Sequence, residues 1–204
     1  MAQDAVKRRY HHGDLRAALL DAGRRVLETE GVAGLTLRGL TKRVGVSPMA
    51  AAAHFGSLSG FLSELAAIGF EELHAAMTAV PAAHPRETGY AYVLFAIGNP
   101  GLFTLMFRSD ALDWRHHPRL AEASGGTFAV LRNEAASGAG NAGAVRSPSP
   151  ALLAARWGLV HGLAMLAIDG RLTQLLDRDA GAATIEELVA AALHLPPGER
   201  PADD

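Results

Sequence analysis

The stretch that decides the fold is TLRGLTKRVGVSPMAAAAHF, residues 36–55. Thr36 provides a hydroxyl N-cap, and leucines follow it at helical spacing. Gly45 interrupts this helix at a point where a sharp bend requires a positive φ. Ser47 and Pro48 then begin a second helix, with a hydroxyl cap and a proline in the first turn. Two short helices around a tight turn predict a helix-turn-helix, whose second helix normally enters the DNA major groove.

The second helix of this motif carries no positive charge. No Lys or Arg occurs between Arg43 and Arg86, so the segment from Pro48 to Ala53 offers only methyl groups and one thioether. Such groups can contact thymine methyls, but they make none of the bidentate pairs that contribute about 1–3 kcal/mol of base discrimination each. The sequence therefore leaves open whether the motif binds DNA strongly, weakly or not at all.

The charge of the chain is unevenly distributed. Residues 1–45 hold nine basic side chains against five acidic ones, whereas the whole chain has a formal net charge of −2. The basic and aromatic run Lys-Arg-Arg-Tyr-His-His at 7–12 belongs to an N-terminal arm over residues 1–13, which could lie along phosphates or be a frayed terminus. Positive charge beside a helix-turn-helix is the expected footprint of a polyanionic partner.

Composition excludes several classes of function. The chain has no cysteine, which rules out disulfides, cysteine nucleophiles and cysteine-ligated zinc. It contains no G-x-S-x-G, H-E-x-x-H or phosphate-binding glycine loop, so we expect no enzymatic activity, no cofactor and no metal site. No apolar run is expected to span a membrane, and no signal peptide is evident, so we expect a cytoplasmic protein.

Outside the motif, helical patterns and stop signals predict an all-α chain with no strand. A first helix is expected to begin at the Asp14 cap, and a long connector helix from Ser57 to about Val80, buried on both sides and followed by a linker over 82–89. The predicted organisation is a helix-turn-helix domain over 14–74, a larger helical domain over 75–196 and a disordered tail over 197–204.

The second half of the chain is a series of predicted helices. Asn99 and Pro100 are expected to begin one of them with an N-cap and a first-turn proline, and residues 137–149 are expected to form a flexible linker rich in Gly and Ser. The apolar segment 150–170 should form a helix with a bulky leucine stripe and a separate seam of small residues, which allows close helix approach. The stripe is Leu152, Leu159, Leu163 and Leu166, and the seam is Ala151, Ala155, Gly158 and Gly162.

Together these segments resemble the TetR family of bacterial transcriptional regulators. YHHGDLRAALLDAG at 10–23, GLTLRGLTKRVGVS at 34–47 and HF at 54–55 are similar to the N-terminal signature of that family. FAIGNPGLFTLMF at 95–107 and WGLVHGLAML at 157–166 resemble a subgroup with a C-terminal Trp-x-x-x-His-Gly motif. The resemblance implies a homodimer through the helices at 150–169 and 185–195, an effector pocket in the C-terminal half, and paired motifs that bind two half-sites of a double-stranded DNA operator.

Two positions depart from the family pattern. The resemblance implies an aromatic Tyr at the position of Ala52 and a Lys at the position of Leu58, both of which contact phosphates in the family. The residue between Tyr and His is often Arg in the family, and here it is Ala53. Since phosphate contacts supply most of the affinity for DNA, these departures put the strength of operator binding in doubt.

Two sets of candidate site residues follow. The candidates for DNA binding are Arg9, Thr36, Arg38, Lys42, Arg43, Ser47, Pro48, Met49, Ala52 and His54. The candidates for an effector pocket are Phe95, Phe103, Met106, Phe107, Trp114, Trp157 and His161. Trp157 and His161 lie one helical turn apart and could present an indole N–H and an imidazole to a ligand, or His161 could bind a backbone carbonyl at an interface.

The sequence therefore supports two hypotheses. The first is a ligand-responsive repressor in which a small molecule shifts the connector helix and changes the separation of the two DNA-binding units. The second is a degenerate family member that keeps the dimer and the pocket but has weak or lost operator binding, and acts as a ligand-binding or protein-interaction module.

Overall fold

A computed structural model describes residues 12–80, 85–137, 149–177 and 184–194. The described residues form helices and no strand, which confirms the all-α fold. The helices are α1 (His12–Glu30), a short 3₁₀ helix (Val32–Gly34), α2 (Leu37–Val44), α3 (Pro48–Phe55), α4 (Leu58–Thr78), α5 (Pro85–Gly98), α6 (Pro100–Met106), α7 (Pro118–Ser137), α8 (Pro150–Ile168), α9 (Arg171–Leu176) and α10 (Ile185–His194).

Hydroxyl caps begin four of these helices as predicted. The side-chain oxygen of Thr36 accepts from the backbone N–H of Gly39 at 3.0 Å, and Ser57 does the same for Gly60 at 3.0 Å. Ser47 and Ser149 cap α3 and α8 in the same way. Gly45 has φ 77°, in the left-handed region, and this conformation makes the sharp turn between α2 and α3. The helix-turn-helix over 36–55 is therefore confirmed.

Some predicted helix boundaries are wrong. The first helix begins at His12, so Asp14 lies within it and is not its N-cap. Helix α5 begins at Pro85, inside the predicted linker, because a proline in the first turn can start a helix as well as follow one. The short helix α9 was not predicted. The linker at 137–149, except for its end residues, and the tail at 197–204 lie outside the described residues, as does the arm up to residue 11.

Helix α4 is the centre of the molecule. Its N-terminal half is buried almost continuously, and it packs against α1, α3, α5, α6 and α7. Gly69 allows α6 to approach closely, since a Cβ at this position would lie 2.7 Å from the sulfur of Met106. The expectation of a connector helix buried on both sides is confirmed, although it ends at Thr78.

Helix α8 differs from the prediction in one way. By length and composition it is long and apolar enough to cross a membrane, as is the bent pair formed by residues 86–98 and 100–106, so the expectation that no apolar run could span a membrane is wrong as far as length and composition go. A single charged residue, Arg156, leaves its mean hydropathy at 1.6. Within the leucine stripe, Leu163 is buried, whereas Leu159 and Leu166 are 48% and 43% exposed.

Candidate nucleic-acid interface and internal cavity

The DNA-binding candidates of the helix-turn-helix lie mainly on its outer surface. Helices α2 and α3 pack on α1 through Leu40 and Ala51, which are almost completely buried. Most candidates on these two helices are exposed, and His54 is half-buried; the exposed set is Thr36, Arg38, Lys42, Arg43, Ser47, Pro48, Met49 and Ala52. Arg9 lies outside the described residues.

The outer face of α3 is apolar. Met49 is 80% exposed, and Ala52 and Ala53 are exposed beside it. Of the three cations on α2, Arg43 is paired with Glu30 of α1 at 2.5 Å. The side chains of Arg38 and Lys42 are exposed and make no hydrogen bond or ion pair with other described residues, so their charges face solvent beside α3. The helix that would enter the groove therefore contributes shape and methyl groups, and α2 contributes the charge.

A buried carboxylate connects the N-terminal helices to the second half of the chain. Glu64 of α4 forms ion pairs with Arg16 of α1 and with Arg119 of α7, and its Oε2 lies 3.0 Å from Nε2 of His117. Burial by itself would raise the pKa of Glu64, but hydrogen bonds and charges from the two arginines outweigh it and lower the pKa. Three helices thus meet at one ionised carboxylate.

A second polar junction joins α1 to α6. The carboxylate of Glu28 accepts from the backbone N–H groups of Gly101 and Leu102, at 2.9 and 3.0 Å. Asn99 precedes α6, but its side chain does not cap the helix as predicted, since it accepts from Arg24 at 2.6 Å and donates to the carbonyl of Phe95. The acceptor at the N-terminus of α6 therefore comes from a different helix.

The apolar pattern of the first helix predicts that Arg24 and Glu28 face water, and their bonds at this junction show that this prediction is wrong. Arg24 also pairs with Glu72 of α4. Gly101 brings the two backbones together, because a Cβ at this position would lie 2.2 Å from the carbonyl oxygen of Leu27. The two helices therefore make a backbone contact that only glycine permits.

A cavity of about 430 Å³ that is partly open to solvent lies between α4, α5, α6, α7 and α8. Its wall is mostly aromatic and aliphatic, and consists of Phe70, Tyr92, Met106, Phe107, Trp114, Ser124, Gly125, Thr127, Phe128, Leu131 and Trp157. The segment that carries Trp114 is fixed to α4, because the hydroxyl of Ser63 accepts from the N–H of Asp113 at 2.8 Å. The volume lies within the range of small-molecule sites.

The hydroxyl of Tyr92 is the most deeply buried polar group of this wall. It lies 3.0 Å from Nδ1 of His161. Burial raises the pKa of Tyr92, against a smaller lowering by a hydrogen bond from Trp157. Burial also lowers the pKa of His161, which keeps the imidazole neutral near pH 7. A neutral imidazole has one donor and one acceptor nitrogen, so the tautomer of His161 sets which partner of this hydrogen bond donates.

Some of the predicted pocket residues line the cavity, and others do not. Met106, Phe107, Trp114 and Trp157 line the cavity. Phe103 and His161 lie behind this wall, with ring centroids 5.5 Å apart, and Phe95 lies outside it on α5.

Sequence reasoning did not find the lining residues from α4 and α7. Phe70 and Thr127 belong to helices whose apolar pattern indicated only burial, and a pattern of burial does not distinguish a wall from a core. Among the described residues, no group of three or more His, Asp or Glu side chains is placed to hold a metal ion.

The sequence of residues 86–192 matches the family described as tetracyclin repressor-like, C-terminal domain. The chain belongs to the TetR family. Members of this family are transcriptional regulators and are generally not enzymes. The match covers α5 to α10, which are the helices that form most of the cavity wall.

Individual relatives agree with this assignment. An uncharacterised HTH-type transcriptional regulator of Bacillus subtilis strain 168, YobS, is 31% identical over 90 residues, which are 42% of this chain and 47% of that protein. The chain thus matches about half the length of this curated relative.

Two solved structures from Rhodococcus share the fold. A protein of unknown function from Rhodococcus sp. RHA1 is 32% identical, with a TM-score of 0.68 over 92% of this chain and 95% of that one. A regulatory protein of the tetR family from Rhodococcus RHA1 is 19% identical, with a TM-score of 0.59 over 87% and 92% of the two chains.

Proposed function

We propose that the protein is a cytoplasmic, ligand-responsive transcriptional repressor that leaves its operator when a small molecule occupies the cavity. The observation that carries this proposal is that the cavity and the polar junctions share helices. Phe70 of α4 and Met106 of α6 line the cavity. Glu64 of α4 and the N-terminus of α6 are bonded to α1. A shift of either helix by a ligand would therefore reach the helix that supports the DNA-binding motif.

The two ends of α6 contact different parts of the molecule, the cavity at one end and α1 at the other. Its C-terminal end, with Met106 and then Phe107, forms part of the cavity wall, and its N-terminal end is held by Glu28 of α1. A helix of seven residues moves as a rigid unit, so displacement of one end is transmitted to the other. Release from DNA then follows if the two motifs of a dimer no longer match the spacing of their half-sites.

The dimer is proposed to form through the helices at 150–169 and 185–195. The outer face of α8 supports this proposal, since Leu159 and Leu166 are exposed, and a Cβ added at Gly158 or Gly162 would meet nothing within 4 Å. This surface is apolar and open to close approach by another helix. The Trp-x-x-x-His-Gly motif contributes to both regions, since Trp157 lines the cavity and Gly162 lies on the seam.

A salt series of DNA binding tests the repressor proposal. The full chain is titrated onto a fragment of its own promoter region and onto a random fragment of equal length, at several salt concentrations. The expected result is tighter binding to the promoter fragment, with an affinity that falls as salt increases. Equal affinity for both fragments at low salt would rule out the repressor function.

The outer face of α3 favours a second candidate function. Its Met49, Ala52 and Ala53 side chains provide neither charge nor hydrogen bonds, so operator binding would depend on the cations of α2, the remaining polar candidates and the arm. A family member of this kind would dimerise and bind its ligand without specific binding to DNA. Equal affinity for both DNA fragments, together with an intact dimer in sedimentation analysis, would support this candidate.

A further inference from the structure

The cavity wall combines many rings with an absence of charge. Six of its residues are aromatic: Phe70, Tyr92, Phe107, Trp114, Phe128 and Trp157. Among the described residues that line it, none is Asp, Glu, Lys or Arg. Flat rings provide large contact areas of fixed shape, and they favour partners that also carry rings.

The three hydroxyls of this wall are already hydrogen-bonded to protein groups. The hydroxyl of Ser124 donates to the carbonyl of Ala121 at 3.1 Å, and the hydroxyl of Thr127 donates to the carbonyl of Phe70 at 2.9 Å. The hydroxyl of Tyr92 bonds to His161. A ligand that took the protons of the Ser124 and Thr127 hydroxyls would have to break these bonds, and a buried polar group without a partner is unfavourable.

The cavity is partly open to solvent, but a charged group placed among the rings of its wall would lose much of its water without gaining an opposite charge. The cost of removing an ion from water exceeds what such a wall can return to an anion. A cation would be attracted by the faces of the rings, but this attraction is smaller than the cost of its desolvation. The chemistry of the wall therefore disfavours both anionic and cationic ligands.

We propose that the cavity selects uncharged aromatic molecules of a few rings and discriminates against ionised analogues of the same skeleton. This proposal rests on the proposed function, because it names the class of ligand for the same site. The volume of about 430 Å³ sets the size, and the ring-lined, uncharged wall sets the chemistry.

Competition between matched compounds tests the proposal. The uncharged dye N-phenylnaphthylamine is first bound to the full chain and followed by its fluorescence. It is then displaced by naphthalene, naphthalenesulfonate or naphthyltrimethylammonium, which share one ring system and differ in charge. We expect naphthalene to displace the dye at a concentration at least tenfold lower than either ion. Equal or better displacement by either ion, or no binding of the dye, would overturn the proposal.

A substitution in the cavity wall tests whether the dye binds in the cavity. Gly125 lines the cavity, and a Cβ added there would meet nothing within 4 Å, so Gly125→Leu places a bulky side chain at the wall without a clash at its Cβ. We expect this variant to bind the dye at least tenfold more weakly. Gly98→Leu is the matched control, because Gly98 is exposed, has equally open space and lies outside the wall. Equal weakening in both variants, or none in Gly125→Leu, would contradict the assignment.

A second variant covers the case in which Gly125→Leu does not fold. Phe128 is 39% exposed, so Phe128→Ala removes a ring of the wall with little effect on the core. We expect at least threefold weaker dye binding, and unchanged affinity would count against the site.

The proposed regulatory role of the cavity and the proposed class of ligand can be tested independently. If naphthalene displaces the dye as expected but does not change the affinity for promoter DNA, the ligand class holds and the regulatory role of the cavity does not.

Discussion

The outer face of α3 and the junction around α1 differ in how much polar chemistry each contains. The face of α3 presents Met49 and alanines, with no side chain that binds a phosphate. The junction contains a buried carboxylate between two arginines and a second carboxylate at the N-terminus of α6. The chain thus keeps the contacts that connect its two halves, while the surface that would bind DNA has few. We therefore expect coupling between the two halves and affinity for DNA to be separable by substitution.

The largest effect is expected from removing the carboxylate of the junction. Glu64→Ala leaves Arg16 and Arg119 without their shared partner, and hydrogen bonds to charged groups contribute about 1.5–3 kcal/mol each. Both arginines are partly exposed and regain water, so we expect a loss of about 2 kcal/mol in the free energy of unfolding. Denaturant unfolding measures this change.

An exposed ion pair is the control for Glu64. Arg108 and Asp110 form a bidentate pair at 2.7 Å on the surface. Asp110→Ala should leave the unfolding midpoint almost unchanged, because exposed pairs contribute little. A similar loss in both variants would show that burial at Glu64 does not matter.

Restoring the family residues on the DNA-binding face should give the next largest effect. The double variant Ala52→Tyr, Leu58→Lys adds one phosphate-binding hydroxyl and one cation. The apolar stem of the lysine can replace the packing of the half-buried Leu58. We expect about tenfold tighter binding to promoter DNA at low salt, and a salt slope steeper by about one unit.

The charge of that variant can be tested alone. Ala52→Tyr, Leu58→Gln keeps the hydroxyl and the side-chain length but adds no cation. It should tighten binding less and leave the salt slope as in the parent. If both double variants behave like the parent chain, the α3 face does not lie against DNA.

A smaller effect is expected at the cap of α6. Glu28→Ala removes the acceptor for the N–H groups of Gly101 and Leu102, and loss of an N-cap costs about 1 kcal/mol. Asp21→Ala is the control, because Asp21 forms only an exposed pair with Arg25 on the same helix. Thermal unfolding compares the two variants. An equal change in both would mean that the contact between α1 and α6 is not stabilised by this cap.

The smallest effect is a dependence on pH at the cavity. Burial lowers the pKa of His161, so the unfolded chain binds its proton more tightly than the folded one. This contribution to stability is complete above the unfolded pKa of about 6.5 and is lost as the pH falls toward the folded value. His161→Gln should therefore reduce the loss of stability between about pH 7 and about pH 5. Unfolding curves of both chains at the two pH values measure it, and an unchanged loss in the variant would exclude His161 as a source.

Sequence alone predicted the features that depend on neighbouring residues. The caps at Thr36, Ser47 and Ser149 and the left-handed turn at Gly45 each involve atoms within three or four positions of one another. The sequence TIEE at 184–187 likewise predicts a capping box at the start of α10, and Thr184 and Glu187 do bond to each other.

The features that sequence reasoning missed depend on distant residues. Glu28 caps a helix that begins more than seventy positions later, and no local pattern indicates this contact. Sequence reasoning did not single out Tyr92, and it placed Phe70 only in a buried helix, because a helix pattern marks an inward face without stating whether that face meets another side chain or a cavity. The boundary of α5 was misplaced because Pro85 is compatible with both the end of a linker and the start of a helix.

Because of the backbone contact at Gly101, any substitution at this position is expected to disturb the packing of α6 on α1. Even the smallest side chain, the methyl group of alanine, would have to push the start of α6 away from Leu27. A collection of random variants selected for failure to respond to ligand should therefore be enriched at codon 101, although this residue lies neither in the cavity wall nor on the DNA-binding face. Enrichment there would identify the contact between α1 and α6 as the connection from the cavity to the DNA-binding face. This genetic result would require no knowledge of the ligand or of the operator.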